Sequence, residues 1–145
     1  MQNGIKFNFM YSFDSKLRVR YYETDKMGIV HHSNYVRYYE YARTEMMMHL
    51  GFSYGTMEKE GVMMPVVSVS SKYIKPAYYE DELVIRVKLK DLPTAKMYFF
   101  YEIFNLHGEL INTGETVLSF TNMATNRPCR PPQRLMDILK EIIKC

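Results

Sequence analysis

With 145 residues, 47% hydrophobic and 24% charged, the chain has the make-up of one soluble domain able to bury a core of its own. A net charge of +3 is too mild for a nucleic-acid binder, which needs a dense basic stripe, and no run approaches the ~18 consecutive apolar residues of a membrane span. The opening MQNGIKFNFM lacks the apolar run and small-residue cleavage site of a secretory leader, so the cytoplasm is the expected compartment.

Residues 1–11 are expected to form a peripheral extension of a single domain spanning 1–145. Residues 12–22 alternate, with Phe13, Leu17, Val19 and Tyr21 on one side and Lys16, Arg18 and Arg20 on the other, which predicts a strand with one wet face. Glu23–His32 reads as a turn region containing Gly28. Ser33 or Asn34 then suits a helix N-cap.

From Tyr35 to about Leu50 the chain predicts a helix that stops at Gly51. Its apolar residues occupy nearly every face, the pattern of a helix enclosed all round. A short helix over Tyr54–Lys59 ends at Gly61. Strands follow at Val62–Lys75, broken by Pro76, and at Glu82–Lys90, Lys96–Asn105 and Leu110–Asn122. His107–Gly108 marks a hairpin, and Gly114 a bulge. After the segment Arg127–Pro132, an amphipathic helix is predicted over Leu135–Ile143. Consecutive strands with short links imply antiparallel pairing, and a twisted antiparallel sheet around one apolar helix satisfies these elements. Such a sheet leaves an open face and edge, so a homodimer is expected.

The chemistry concentrates in residues 17–46. A lone acid, Asp25, stands in the polar turn just before the helix N-terminus. A carboxylate facing helix amides suits acyl transfer, because the amides hold an oxyanion while the acid attacks or delivers water. A metal is not expected: His31 and His32 diverge, and His49 and His107 offer no ligand spacing. An Asp25–His32–Ser33 triad is disfavoured, since neighbouring Ser and His side chains rarely meet and no nucleophile elbow is present. Cys129 and Cys145, without metal-type spacing, read as free thiols. The 13 tyrosines, 8 phenylalanines and 12 methionines read mainly as core, with an adaptable acyl pocket as the functional alternative.

The stretch VRYYETDKMGIVHHSNYVRYYEYAR resembles the active-site segment of the 4-hydroxybenzoyl-CoA thioesterase family. SKYIKPAYYEDELVI and TNRPCRPP are similar to that family's strand–Pro-Ala–turn segment and its closing turn. The resemblance implies an α+β hotdog fold, a five-stranded antiparallel sheet wrapped around one long central helix with a short C-terminal helix. It implies hydrolysis of an acyl- or aroyl-CoA thioester, without metal or organic cofactor, at the interface of a homodimer or homotetramer. Asp25 then matches the catalytic aspartate, with His32 and Ser33 supplying oxyanion amides. Gly28, Asn34, Tyr35, Glu40 and Pro65 fall among substrate-binding positions, although Glu40 reads by default as a solvated acid near Arg37 or Arg43. Lys96 and Arg130 match positions that would meet the CoA phosphates; apart from the resemblance, Lys72 and Lys75, flanking Tyr73, are further candidates for phosphate contact. The rivals are an acyl carrier protein thioesterase, a hotdog dehydratase, whose His-centred motif is missing, and a non-catalytic acyl-CoA-binding module.

Overall fold

The computed structural model describes residues 11–143. The elements run β1 (Tyr11–Arg18), α1 (Asn34–His49), α2 (Tyr54–Lys59), β2 (Val62–Met63), β3 (Val66–Tyr73), β4 (Glu82–Leu89), β5 (Lys96–Phe104), β6 (Leu110–Ser119), β7 (Thr121–Asn122), β8 (Arg127–Pro128) and α3 (Gln133–Ile142). A one-turn 3-10 helix at Tyr21–Glu23 leads from β1 toward α1. Residues 1–10 of the expected extension, and Cys145, lie outside the described residues, while Tyr11 opens β1 opposite Leu89.

Five strands form one antiparallel sheet in the order β1-β4-β5-β6-β3. Strict alternation along β4 buries Leu83, Ile85, Val87 and Leu89, and the same period in β5 buries Met97, Phe99, Tyr101 and Ile103. That inner face packs on Tyr38, Tyr39, Ala42, Met46 and Met47 of α1. Each large side chain so enclosed contributes roughly 1.5–3 kcal/mol. The helix spans 16 residues, about 24 Å at 1.5 Å per residue, and contacts β1, β4 and β3.

Several expectations are corrected. Strand β1 ends at Arg18, because the Glu23 side chain turns back to accept the Arg20 amide at 2.8 Å and closes the 3-10 turn. Tyr21, expected on the inner face, is therefore exposed. The run from Val62 splits at Met64–Pro65, and β2 joins a separate small sheet with β7 and β8. Strand β3 does not pair with β4; the segment 74–81 carries the chain across the sheet, and β3 pairs with β6. Gly114 is no bulge, since it sits in register opposite both Tyr101 and Ser71. Irregularities in those ladders fall instead at Val66/Ser68 and Ile103/Phe104. Helix α1 is not enclosed all round: Val36, Tyr41 and Met48 remain exposed because the sheet covers one side only.

The two sheet edges differ. Strand β1 is tied to β4 by the Arg86–Asp14 pair at 2.8 Å. Strand β3 leaves Val66, Val67, Val69 and Tyr73 exposed along its length.

Candidate active site

The turn between Glu23 and α1 is a miniature hairpin. Thr24 pairs antiparallel with Val30, the Asp25 amide donates to Ile29 O at 2.8 Å, and the Gly28 amide donates to Asp25 O at 3.0 Å. Closing this turn requires φ of +80° at Gly28, a conformation that glycine adopts without Cβ strain. The hairpin is fastened to the segment before β4, where Val30 N donates to Ala77 O at 2.8 Å. Asp25 Oδ1 accepts the Met27 amide at 2.8 Å and, more weakly, the Ile29 amide at 3.4 Å. Among the described residues Oδ2 accepts no hydrogen bond, so one oxygen is held and the other is available for chemistry.

Asp25 opens onto a cavity of about 300 Å³ whose wall also includes Ile29, Val30, His32, Tyr35, Tyr73, Ile74, Lys75 and Pro76. The Tyr35 and Tyr73 rings meet edge to face at 5.2 Å, and Tyr73 donates its hydroxyl to His32 O at 3.3 Å. Burial, reinforced by Tyr73 and Asp81, pushes the Tyr35 phenol up to about 12, which keeps it protonated at neutral pH. Lys75 pairs with Glu109 at 2.6 Å at the cavity rim. His32 stands immediately before the first turn of α1, where the helix dipole favours negative charge, while the Asn34 and Tyr35 amides already donate to His31 O and His32 O at 3.0 and 3.3 Å.

The structure brings Asp25, His32 and Tyr35 onto one cavity, with Gly28 shaping the turn beside it. Ser33 is placed differently: its hydroxyl lies 2.9 Å from His31 Nδ1, and its amide donates to the same nitrogen at 3.2 Å. It occupies the N-cap position but makes no side-chain cap. Asn34 is buried and donates to Glu23 O at 2.9 Å, so it ties the helix start to the turn. Glu40 is exposed further along α1, with no ion pair to Arg37 or Arg43 among the described residues. Lys72 lies across the sheet, because the neighbouring Ser71 points inward to Tyr39 at 2.7 Å. Pro65, Lys96 and Arg130 gather at the far end of the sheet from Tyr73: Pro65 O accepts Ser119 N at 3.1 Å, and Ser119 faces Lys96 in the ladder. That end is roughly 25 Å from the Asp25 cavity at ~3.3 Å per residue along β3.

Sequence reasoning missed two residues here. Tyr73, inside SKYIKPAYYEDELVI, and Glu23, inside VRYYETDKMGIVHHSNYVRYYEYAR, fall within the family-like stretches without receiving a role from them. Glu23 is in fact buried, and it accepts hydrogen bonds from Arg20 and from Tyr38 of α1. An acid two residues before Asp25, with a Tyr one helix turn past Asn34, was the available signal. No group of three or more His, Cys, Asp or Glu is arranged to hold a metal among the described residues, and none of their helices is long and apolar enough to cross a membrane.

A family profile for the thioesterase-like superfamily matches residues 19–139 of this chain. The chain belongs to the thioesterase-like superfamily. Its hotdog fold is shared with a DHNA-CoA thioesterase from Staphylococcus aureus, at a TM-score of 0.85 and 32% identity over 90% of each chain. A putative acyl-CoA thioesterase of Bacillus subtilis, YneP, is 42% identical over 101 residues, covering 70% of this chain and 73% of the relative. The acyl-CoA thioester hydrolase YbgC of Escherichia coli is 30% identical over 125 residues, covering 86% of this chain and 93% of the relative. The expectations of a hotdog fold and of a thioester hydrolase agree with membership of this superfamily. The match contains the whole of the Asp25 hairpin, the cavity and α1.

Proposed function

We propose that this protein hydrolyses acyl- or aroyl-CoA thioesters, with Asp25 as the reacting carboxylate and the His32 amide at the start of α1 as the oxyanion donor. The observation that carries this reading is the shared cavity: Asp25, with one unbonded oxygen, and His32 line the same 300 Å³ space at a helix N-terminus. Asp25 either attacks the thioester carbonyl and expels the CoA thiolate, leaving a mixed anhydride that water then opens to the free acid, or takes a proton from a water that attacks the carbonyl as the C–S bond breaks and CoA leaves. In both routes negative charge develops on the carbonyl oxygen, and in this reading the His32 amide beside the α1 N-terminus receives it. His32 supplies that donor alone, since the Ser33 amide is engaged by His31. Tyr35, protonated and lining the cavity, is a further donor to the substrate. The narrower likeness to 4-hydroxybenzoyl-CoA thioesterases, the aromatic wall of Tyr35 and Tyr73, and the names of the relatives support this substrate class.

The active assembly in this reading is a homodimer or larger, acting in the cytoplasm. Strand β3 offers unpaired backbone and the exposed residues Val66, Val67 and Val69, which invite pairing with a second copy. A two-fold axis across that edge pairs the strands antiparallel and exchanges their ends. The Lys96 and Arg130 end of the second copy then approaches the Asp25 cavity of the first. This arrangement makes those cations available to CoA phosphates, although a single chain holds them far apart from Asp25.

Thiol release from a panel of acyl- and aroyl-CoA esters tests the reading. Asp25→Asn should cut turnover by about 10²–10⁴-fold while leaving the fold intact. Turnover preserved in that variant removes Asp25 from the mechanism.

A further inference from the structure

We propose that Glu23 is a positioning residue that sets where the Asp25 carboxylate stands relative to the His32 amide; this rests on the reading of Asp25 as the reacting group. Glu23 is 2% exposed, and a carboxylate is buried that deeply only when its charge is met by donors. Its Oε1 accepts the Arg20 amide at 2.8 Å and the Tyr38 hydroxyl at 3.0 Å. Its Oε2 accepts Arg20 Nη2 at 3.0 Å and Nε at 3.3 Å. Burial first, and then the charge of Glu23, push the Tyr38 phenol far above its ordinary range, so Tyr38 remains a donor.

The backbone of the same residue completes the arrangement. Glu23 O accepts the His31 amide at 2.9 Å and the Asn34 side-chain amide at 2.9 Å. One residue therefore touches the entrance of the Asp25 hairpin, its exit, and two positions on α1. Asp25 follows Glu23 by two residues, and His32 follows His31 by one. The carboxylate and the oxyanion donor are thus fixed from opposite sides of a single clamp. Charge-assisted bonds such as these hold geometry more firmly than neutral ones.

Glu23→Gln keeps the volume but removes the charge, and its NH₂ faces a donor whichever way the amide is turned. A shift of the hairpin by a fraction of an ångström follows, and errors of that order cost reaction rate rather than binding. With benzoyl-CoA and hexanoyl-CoA as probes, Glu23→Gln should lower kcat by about tenfold to a hundredfold and leave KM within about twofold. Tyr38→Phe, which removes one donor and keeps the charge, should lower kcat by less. In ¹H–¹⁵N spectra the amides of residues 25–32 should move while those of α3 stay.

A merely structural Glu23 would lower the melting temperature and leave kcat of the folded enzyme at the wild-type value; that result overturns the proposal. Where Glu23→Gln does not fold, an unchanged kcat in Tyr38→Phe overturns it equally. In the Asp25→Asn background, Glu23→Gln should subtract nothing further, and a full additional loss also counts against it. If Asp25→Asn itself turns over normally, the reading of Asp25 fails; if Asp25→Asn is dead and Glu23→Gln is unimpaired, only the role of Glu23 fails.

Discussion

The ring of Tyr39 lies against the Cα of Gly114, in the space that any Cβ at that position would occupy. Helix α1 can therefore settle on β6 only where the strand has no side chain. The Tyr39 hydroxyl then reaches Asn112 and, at 2.7 Å, Ser71, joining the helix to both β6 and the edge strand β3. Gly114→Ala should destabilise the protein by about 1–3 kcal/mol through overpacking, and Gly114→Val by more. Thermal unfolding measures this; an alanine variant as stable as the wild type would show that α1 can lift away at no cost.

Gly28 and Gly61 provide a matched pair. Both have positive φ, at +80° and +86°, and a Cβ on either would meet nothing within 4 Å. Alanine at either should cost roughly 1–2 kcal/mol of stability through backbone strain alone. Only Gly28→Ala should also lower thioester turnover, because only Gly28 closes the turn that carries Asp25. Equal activity in the two variants, measured well below their melting temperatures, would break the link between turn geometry and catalysis.

The β3 edge predicts the effect of a single charge. Val69 is 40% exposed at the middle of the strand and points to the same side as Ser71 and Tyr73. Val69→Lys should yield a folded monomer by light scattering, since a charge on the seam opposes edge-to-edge pairing. Turnover should be lost with it, although Asp25 is untouched. A monomer that hydrolyses thioesters at the wild-type rate would place the whole site within one chain.

Alkaline pH should unfold the protein through its buried phenols. Burial raises the folded-state pKa of Tyr35 and Tyr39 to about 12, against 10.0 for the ordinary group, and moves Tyr38, Tyr54 and Tyr101 upward as well. Below pH 10 both folded and unfolded chains keep these protons, so the contribution is fully present. Between pH 10 and 12 the unfolded chain releases them first, and stability falls as pH rises. Denaturant unfolding followed by circular dichroism across that window should show the decline. It should be shallower in Tyr35→Phe, and an identical slope there would mean that Tyr35 titrates normally.

Much of the architecture was legible because its causes are local. The alternation of β4 and the glycines that follow α1 and α2 are all properties of neighbouring residues. The Asp25–Gly28 turn belongs to the same class: acid and glycine lie three positions apart and close it between themselves. Periodicity also predicted most strands and helices within two or three residues, except at the end of β1, where the Glu23 turn stops the strand at Arg18, and where β2 and β7 broke away into their own sheet.

What lay beyond local pattern depended on distant partners. No period says that β3 crosses to β6, that Gly114 makes room for a tyrosine 75 positions earlier, or that Lys96 and Arg130 end far from Asp25. Glu23 lies in the family-like stretch, but no local pattern shows that its carboxylate is buried against Tyr38. By itself the sequence determined an antiparallel sheet around an apolar helix with Asp25 in the turn before that helix, because secondary structure and turn chemistry are short-range; the hotdog fold came from the family resemblance. Only the tertiary structure decided which oxygen of that acid is left without a hydrogen bond among the described residues, which residues share its cavity and which edge stands open. Those follow from burial and strand order, where residues remote along the chain compete for the same space.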